Sequence, residues 1–163
     1  MDELNQLAVH VVESAVKSGG TAADCVVREG SEFSTTVRMG EVEQVKEAGS
    51  KGIGLRVFLG HRAASSYSSD FSRKGVELLV SSALAAAKIT SEDPFSGLPE
   101  EAVVGKYPTD LDLYHEDVKR LEAPFMIDLA RKAEQAAFAY DPRIKNSEGG
   151  SFEAYSGRLP CPA

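Results

Sequence analysis

Histidine is the side chain best suited to bind a metal or move a proton near neutral pH, and this sequence has His10, His61 and His115, far apart along the chain. Glu116 follows His115, but the second histidine that a zinc-binding helix carries about four residues later is missing. His10 falls beside a helical stripe, His61 in a turn and His115 in a loop, so each reads as structural or solvated unless the fold gathers them. The serines between Ser65 and Ser72 are the second candidate. No Gly-x-Ser-x-Gly elbow surrounds them, which argues against a nucleophile at Ser65, Ser66, Ser68 or Ser69. A hydroxyl-rich strand at an exposed sheet edge suits hydrogen bonding to an extended peptide, although a solvated strand leading into a helix cap is the plainer reading.

The run Gly52-Ile53-Gly54-Leu55-Arg56-Val57 resembles a phosphate-cradling loop only briefly. Valine stands where a third glycine would, and strand alternation continues instead of a helix, so Gly54 is expected to permit a bulge or the close approach of another backbone. Carboxylates gather at Glu41, Glu43 and Glu47 and again at Asp110, Asp112, Glu116 and Asp117. Nothing marks one of them as desolvated, as a general acid must be. Cys25 and Cys161 lack the spacing of a metal or redox pair and read as one core thiol and one tail thiol.

These residues need elements to position them. Leu4, Leu7, Ala8, Val11, Val12, Ala15 and Val16 form the stripe of an amphipathic helix, with Asp2 able to cap it and Gly19-Gly20 to stop it. The period then falls to two at Cys25 and Val27, at Phe33, Thr35, Val37 and Met39, and at Ile53, Leu55, Val57 and Leu59. Gly40-Glu41, Gly49-Ser50-Lys51-Gly52 and Gly60-His61 are each read as a tight reversal, too short for a parallel crossover. An antiparallel meander results, its last strand running over the small polar residues Ala63 to Ser69.

A second helix, capped by Asp70 or Ser72, carries Val76, Leu79, Val80, Ala83, Leu84 and Ala87 on one face. Residues 89–116, with Pro94, Gly97, Pro99, Gly105 and Pro108, form an irregular excursion. A third helix starts at Pro124, with Met126, Leu129, Ala130, Ala133, Ala137 and Tyr140 as its stripe, and Asp141-Pro142 ends it. A closing strand from Arg143 to about Phe152 adds an edge. The fold class is α+β: an antiparallel β-meander with helices packed on one face.

The chain has 163 residues, 42% hydrophobic and 26% charged, which suits one domain with a real core. A net charge of −7 disfavours nucleic acid and anionic membrane as partners. Asp2, Glu3, His10 and Glu13 break up the stretch that a signal peptide would keep apolar, so the expected location is cytoplasmic.

Several segments, taken in order, resemble the amino-terminal region of the TldD/PmbA family. They are Ala23-Asp24-Cys25-Val26-Val27, Ser34 to Glu43, Gly52 to Val57, Ala64 to Ser72, Ser91-Glu92-Asp93-Pro94 and Asp110 to His115. Ala133-Glu134-Gln135-Ala136-Ala137 followed by Asp141 to Phe152 resembles the PmbA (TldE) branch in particular. The resemblance covers residues 1–157, and the tail 158–163 does not share it.

The resemblance implies a metal-free subunit domain of a TldD/TldE-type zinc metalloprotease that degrades or processes unfolded peptides, with an older label as modulator of DNA gyrase. It places zinc, on a His-Glu-x-x-x-His helix, in the TldD-like partner subunit and no cofactor in this chain. It also implies a longer protein, so the sequence is expected to be a truncated piece of one. Arg38 and Glu41 at the first hairpin, and Ser68 and Asp70 at the end of the serine-rich strand, are the expected contacts with substrate or partner. The competing reading is a stand-alone adaptor module without protease activity.

Overall fold

In the computed structural model, residues 3–100 and 112–159 are described. The elements run α1 (Glu3–Lys17), β1 (Ala22–Arg38), β2 (Glu41–Leu59), β3 (Arg62–Ser68), α2 (Arg73–Ile89), a 3₁₀ turn (Val118–Arg120), α3 (Ala123–Tyr140) and β4 (Gly150–Arg158). The strands form one four-stranded antiparallel sheet in the order β3-β2-β1-β4, a meander with β4 added beside its first strand. The α+β meander read from the sequence is therefore the fold.

Two differences stand out. No reversal occurs at Gly49–Gly52: β2 passes straight through it. The glycines that do turn the chain, Gly40 and Gly60, have positive φ of 81° and 59°, whereas Gly49 and Gly52 lie outside that region. The closing strand also begins later than Arg143. The Asp141 carboxylate accepts the Arg143 N–H at 2.8 Å, and Gly149 turns the chain with φ of 106°, so pairing starts only at Gly150. The Asp2 cap, the middle of the 89–116 excursion with Asp110, and Cys161 in the tail lie outside the described residues. The described parts of that excursion after α2 contain no helix or strand before the 3₁₀ turn.

The described residues group into two compact units. The first holds those up to Glu29, those from Lys51 to residue 100, and Arg158 onward; the second holds Gly30–Ser50 and those between residue 112 and Gly157. In the first, Leu4, Ala8, Val11 and Ala15 of α1 and Val76, Leu79, Val80, Ala83, Leu84 and Ala87 of α2 bury against Val27, Ile53, Leu55 and Val57. Ser72 caps α2, its Oγ accepting the Gly75 N–H at 3.2 Å, and the Asp70 carboxylate accepts the Ser72 N–H at 2.8 Å.

In the second unit the buried row of α3 is Met126, Ala130 and Glu134; Ala133, Ala137 and Tyr140 face solvent, contrary to the apolar stripe. Glu134 is only 2% exposed. Its carboxylate accepts the N–H groups of Met39 at 2.7 Å and Gly40 at 2.8 Å. Those two residues are the whole β1–β2 turn, with φ of 52° and 81°, the type I′ geometry that matches the twist of a hairpin. Burial pushes the Glu134 carboxyl up, but the Gly40 N–H, the Ser147 hydroxyl, the Met39 N–H and the charge of Arg38 outweigh it and hold it below its ordinary value. Gly150 lets β4 pass close to this helix, since a Cβ there would lie 2.1 Å from the Ala130 carbonyl oxygen.

Two expectations follow from this packing. Leu79→Ala should lower the unfolding free energy by about 2–5 kcal/mol. The adjacent Leu78→Ala, at a site 68% exposed, should change it by less than about 0.5 kcal/mol. Urea midpoints of the two variants check this, and equal midpoints would contradict the docked face of α2. A carboxyl lowered by folding stabilises above its ordinary value, 4.5 for Glu134, and that contribution is lost as pH falls below it. Glu134→Gln should therefore lower the Tm near neutral pH and make the acid decline shallower. It should not abolish the decline, because Asp70 and Asp141 are lowered too. Calorimetry from about pH 7 down to about pH 3 gives both curves.

Candidate functional site

β3 is one edge of the sheet, and its register with β2 is set by the tight Gly60-His61 turn: Leu59 faces Arg62, Gly54 faces Tyr67 and Ile53 faces Ser68. Because side chains alternate, burying Ile53, Leu55 and Val57 on the helix side puts Gly52, Gly54 and Arg56 on the opposite, outer face. Two glycines in succession on one face leave a depression in the sheet.

Neighbours lean over it from either side. The Tyr67 ring lies across Gly54, where a Cβ would come within 3.1 Å of its Cε1, and the ring is itself 80% exposed. From β1, Arg28 reaches toward Gly52, its Nε 3.9 Å from the position of a Cβ. Gly54 thus makes room for an aromatic ring, not for another backbone as its place in the sequence suggested. Val26, Arg28, Lys51, Gly52, Gly54 and Tyr67, with Ser68 and Ser69 at the end of β3, enclose an open trough of about 590 Å³. A second, larger groove of about 1000 Å³ lies between α1 and α2, bordered by Leu7, His10, Phe71, Val80, Leu84 and Ile89.

The expected contact residues divide between the two units. In the first, Ser68 and Asp70 are together: the Ser68 Oγ accepts the Asp70 N–H at 3.0 Å. Hydrogen bonds from the Ser72 N–H and hydroxyl hold the Asp70 carboxyl below its ordinary value, helped by the charge of Lys51. Asp70 therefore supports the cap of α2. In the second unit Arg38 donates to the Ser147 carbonyl at 3.0 Å and lies 3.6 Å from the Glu43 carboxylate, while Glu41 opens β2 on the surface. Arg28, Lys51 and Tyr67 were not singled out in the sequence, because the trough they border depends on cross-strand register.

Chemistry at single residues is limited. His10, His61 and His115 are all exposed. Burial, followed by the charge of Asp24, pushes the Cys25 thiol up to about 11, away from the range of a reactive thiolate. Among the described residues no three of His, Cys, Asp or Glu stand close enough to hold a metal ion, so these residues do not fit a zinc centre.

Comparison with known proteins adds to this geometry. Residues 23–87 match the family described as PmbA/TldA metallopeptidase domain 1. A protein of Haemophilus influenzae named metalloprotease PmbA homolog is 35% identical over 155 residues, which are 95% of this chain and 34% of that one. The chain thus spans about a third of that relative's length.

Two crystal structures share the fold. A protein of Bacteroides thetaiotaomicron described as a modulator of DNA gyrase superposes with a TM-score of 0.79 at 21% identity, over 98% of this chain and 40% of that one. TldE from Thermococcus kodakarensis gives 0.71 at 15% identity, over 94% and 34%. With the profile match and the PmbA homolog agreeing on one family, this chain is a member of the PmbA/TldD family and carries its first domain.

Proposed function

We propose that this chain is the amino-terminal domain of the metal-free, TldE-type subunit of a TldD/TldE-type metalloprotease, and that it holds extended peptide for a partner that cuts it. One observation carries the reading. The hydroxyl-rich strand β3 is a sheet edge, and an open trough lies at its end. An edge strand has an outer row of N–H and C=O groups that an extended chain can pair with, so main-chain hydrogen bonds supply affinity whatever the peptide sequence. Seven residues of β3 offer about 20 Å of such edge.

Hydrolysis belongs to the TldD-like partner, which would bring zinc to polarise the peptide carbonyl and activate water. The name of the Haemophilus influenzae relative, a metalloprotease, supports the reaction class, and the fold shared with TldE supports the subunit. The substrate class is unfolded peptide, with no direct role for nucleic acid, and the compartment is the cytoplasm. No described helix is long and apolar enough to cross a membrane.

The reading is tested by mixing the chain with a zinc-loaded TldD-type protein and an unfolded, fluorescently labelled peptide. The chain should co-elute with the TldD-type protein in gel filtration, and cleavage should need that protein and stop on chelation. Hydrolysis by the chain alone in the presence of chelator, or indifference to both partner and peptide, would sink the proposal.

A further inference from the structure

The trough has a charge as well as a shape. Of the cations near it, Arg56 is paired with Asp24, and Arg158 of the same unit is paired with Glu29. Arg28 and Lys51 make no ion pair among the described residues. The Lys51 ammonium sits 4.9 Å from the centre of the Phe71 ring, and its charge also acts on the nearby Asp70 carboxylate, which accepts the Ser72 N–H. Both cations are exposed. A protein of net charge −7 thus presents two exposed cations at the end of β3, with the Asp70 carboxylate offsetting part of the Lys51 charge.

The rest of the lining narrows the class of ligand. Gly52 puts backbone at the floor, the exposed Tyr67 ring lying across Gly54 and the Val26 side chain offer apolar walls, and Ser68 and Ser69 offer hydroxyls. A side chain with a short apolar stem and a terminal carboxylate matches each of these, and the planar guanidinium of Arg28 suits a carboxylate in particular. Screening confines the attraction to about 8 Å at physiological salt, so the site acts locally although the whole molecule is acidic.

We propose that the trough selects acidic peptide segments, taking an Asp or Glu side chain between Tyr67 and Arg28 with Lys51 as the second cation. The proposal rests on the reading that β3 and its trough hold peptide, and it adds what kind of peptide. It also gives Gly54 and Tyr67 a joint purpose, since a side chain at 54 would displace the ring and fill the floor.

The test uses the whole chain and fluorescence anisotropy with three labelled unfolded eight-residue peptides: one rich in Glu and Asp, its Gln and Asn counterpart, and a Lys-rich version. The acidic peptide should bind about five- to tenfold more tightly than its amide counterpart at low salt, the advantage shrinking as salt rises. The double variant Arg28→Ala/Lys51→Ala should remove that advantage while the amide peptide binds as before. Arg73→Ala, which breaks only the Arg73–Glu77 pair of α2, should leave it intact. Far-UV circular dichroism checks that the variants are folded.

Equal binding of the acidic and amide peptides, unchanged in the double variant, overturns the charge selection and leaves peptide holding in place. Failure of all three peptides to bind overturns both. Competition by inorganic phosphate or a short oligonucleotide as effective as the acidic peptide overturns the assignment of the trough to peptide carboxylates.

Discussion

Two backbone N–H groups at the tip of the β1–β2 hairpin point at one carboxylate, that of Glu134. A type I′ turn places both central residues at positive φ, and Met39 is not the glycine or asparagine that usually fills the first place. The turn is held from outside. A buried carboxylate is costly unless its lone pairs are used, and the two N–H groups of this exposed turn use those of Glu134. The hairpin so closed contains the two longest strands of the sheet, and their pairing decides which residues face the helices.

Along those same strands the first unit is built by alternation. Ile53, Leu55 and Val57 go inward beneath α1 and α2, which leaves Gly52, Gly54 and Arg56 outward. Two missing side chains would normally weaken a strand, yet here cross-strand partners occupy the space: Tyr67 over Gly54 and Arg28 beside Gly52. Core formation and the trough are thus two consequences of one register. A shift by one residue would bury glycine and expose isoleucine.

The separation of labour proposed for this family member is physically reasonable. Holding an extended peptide needs a free sheet edge and a rigid support, while metal-dependent cleavage needs a metal ion with a position open to the substrate. The described residues provide the edge and the helices packed beneath it, and among them no three of His, Cys, Asp or Glu stand close enough to hold a metal ion.

Patterns with a strong period were legible without the structure. The stripes of α1 and α2, the alternation of β1 and of the second half of β2, and the glycines of the two hairpin turns all follow from local chemistry that a single segment expresses by itself. So did the absence of a zinc-binding helix motif and of a serine elbow. The sequence misled where two local readings compete. Gly49-Ser50-Lys51-Gly52 has the composition of a turn, but pairing with neighbouring strands keeps it extended. In α3 the alanines suggested the buried face, yet Glu134 lies on it, because only the turn of a strand some ninety residues away supplies the hydrogen bonds that let a carboxylate be buried there. Arg28, Lys51 and Tyr67 likewise meet only through strand register. Period and composition are properties of one segment and could be read from it; burial of a charge and the gathering of a trough depend on contacts between segments, which only the tertiary structure decides.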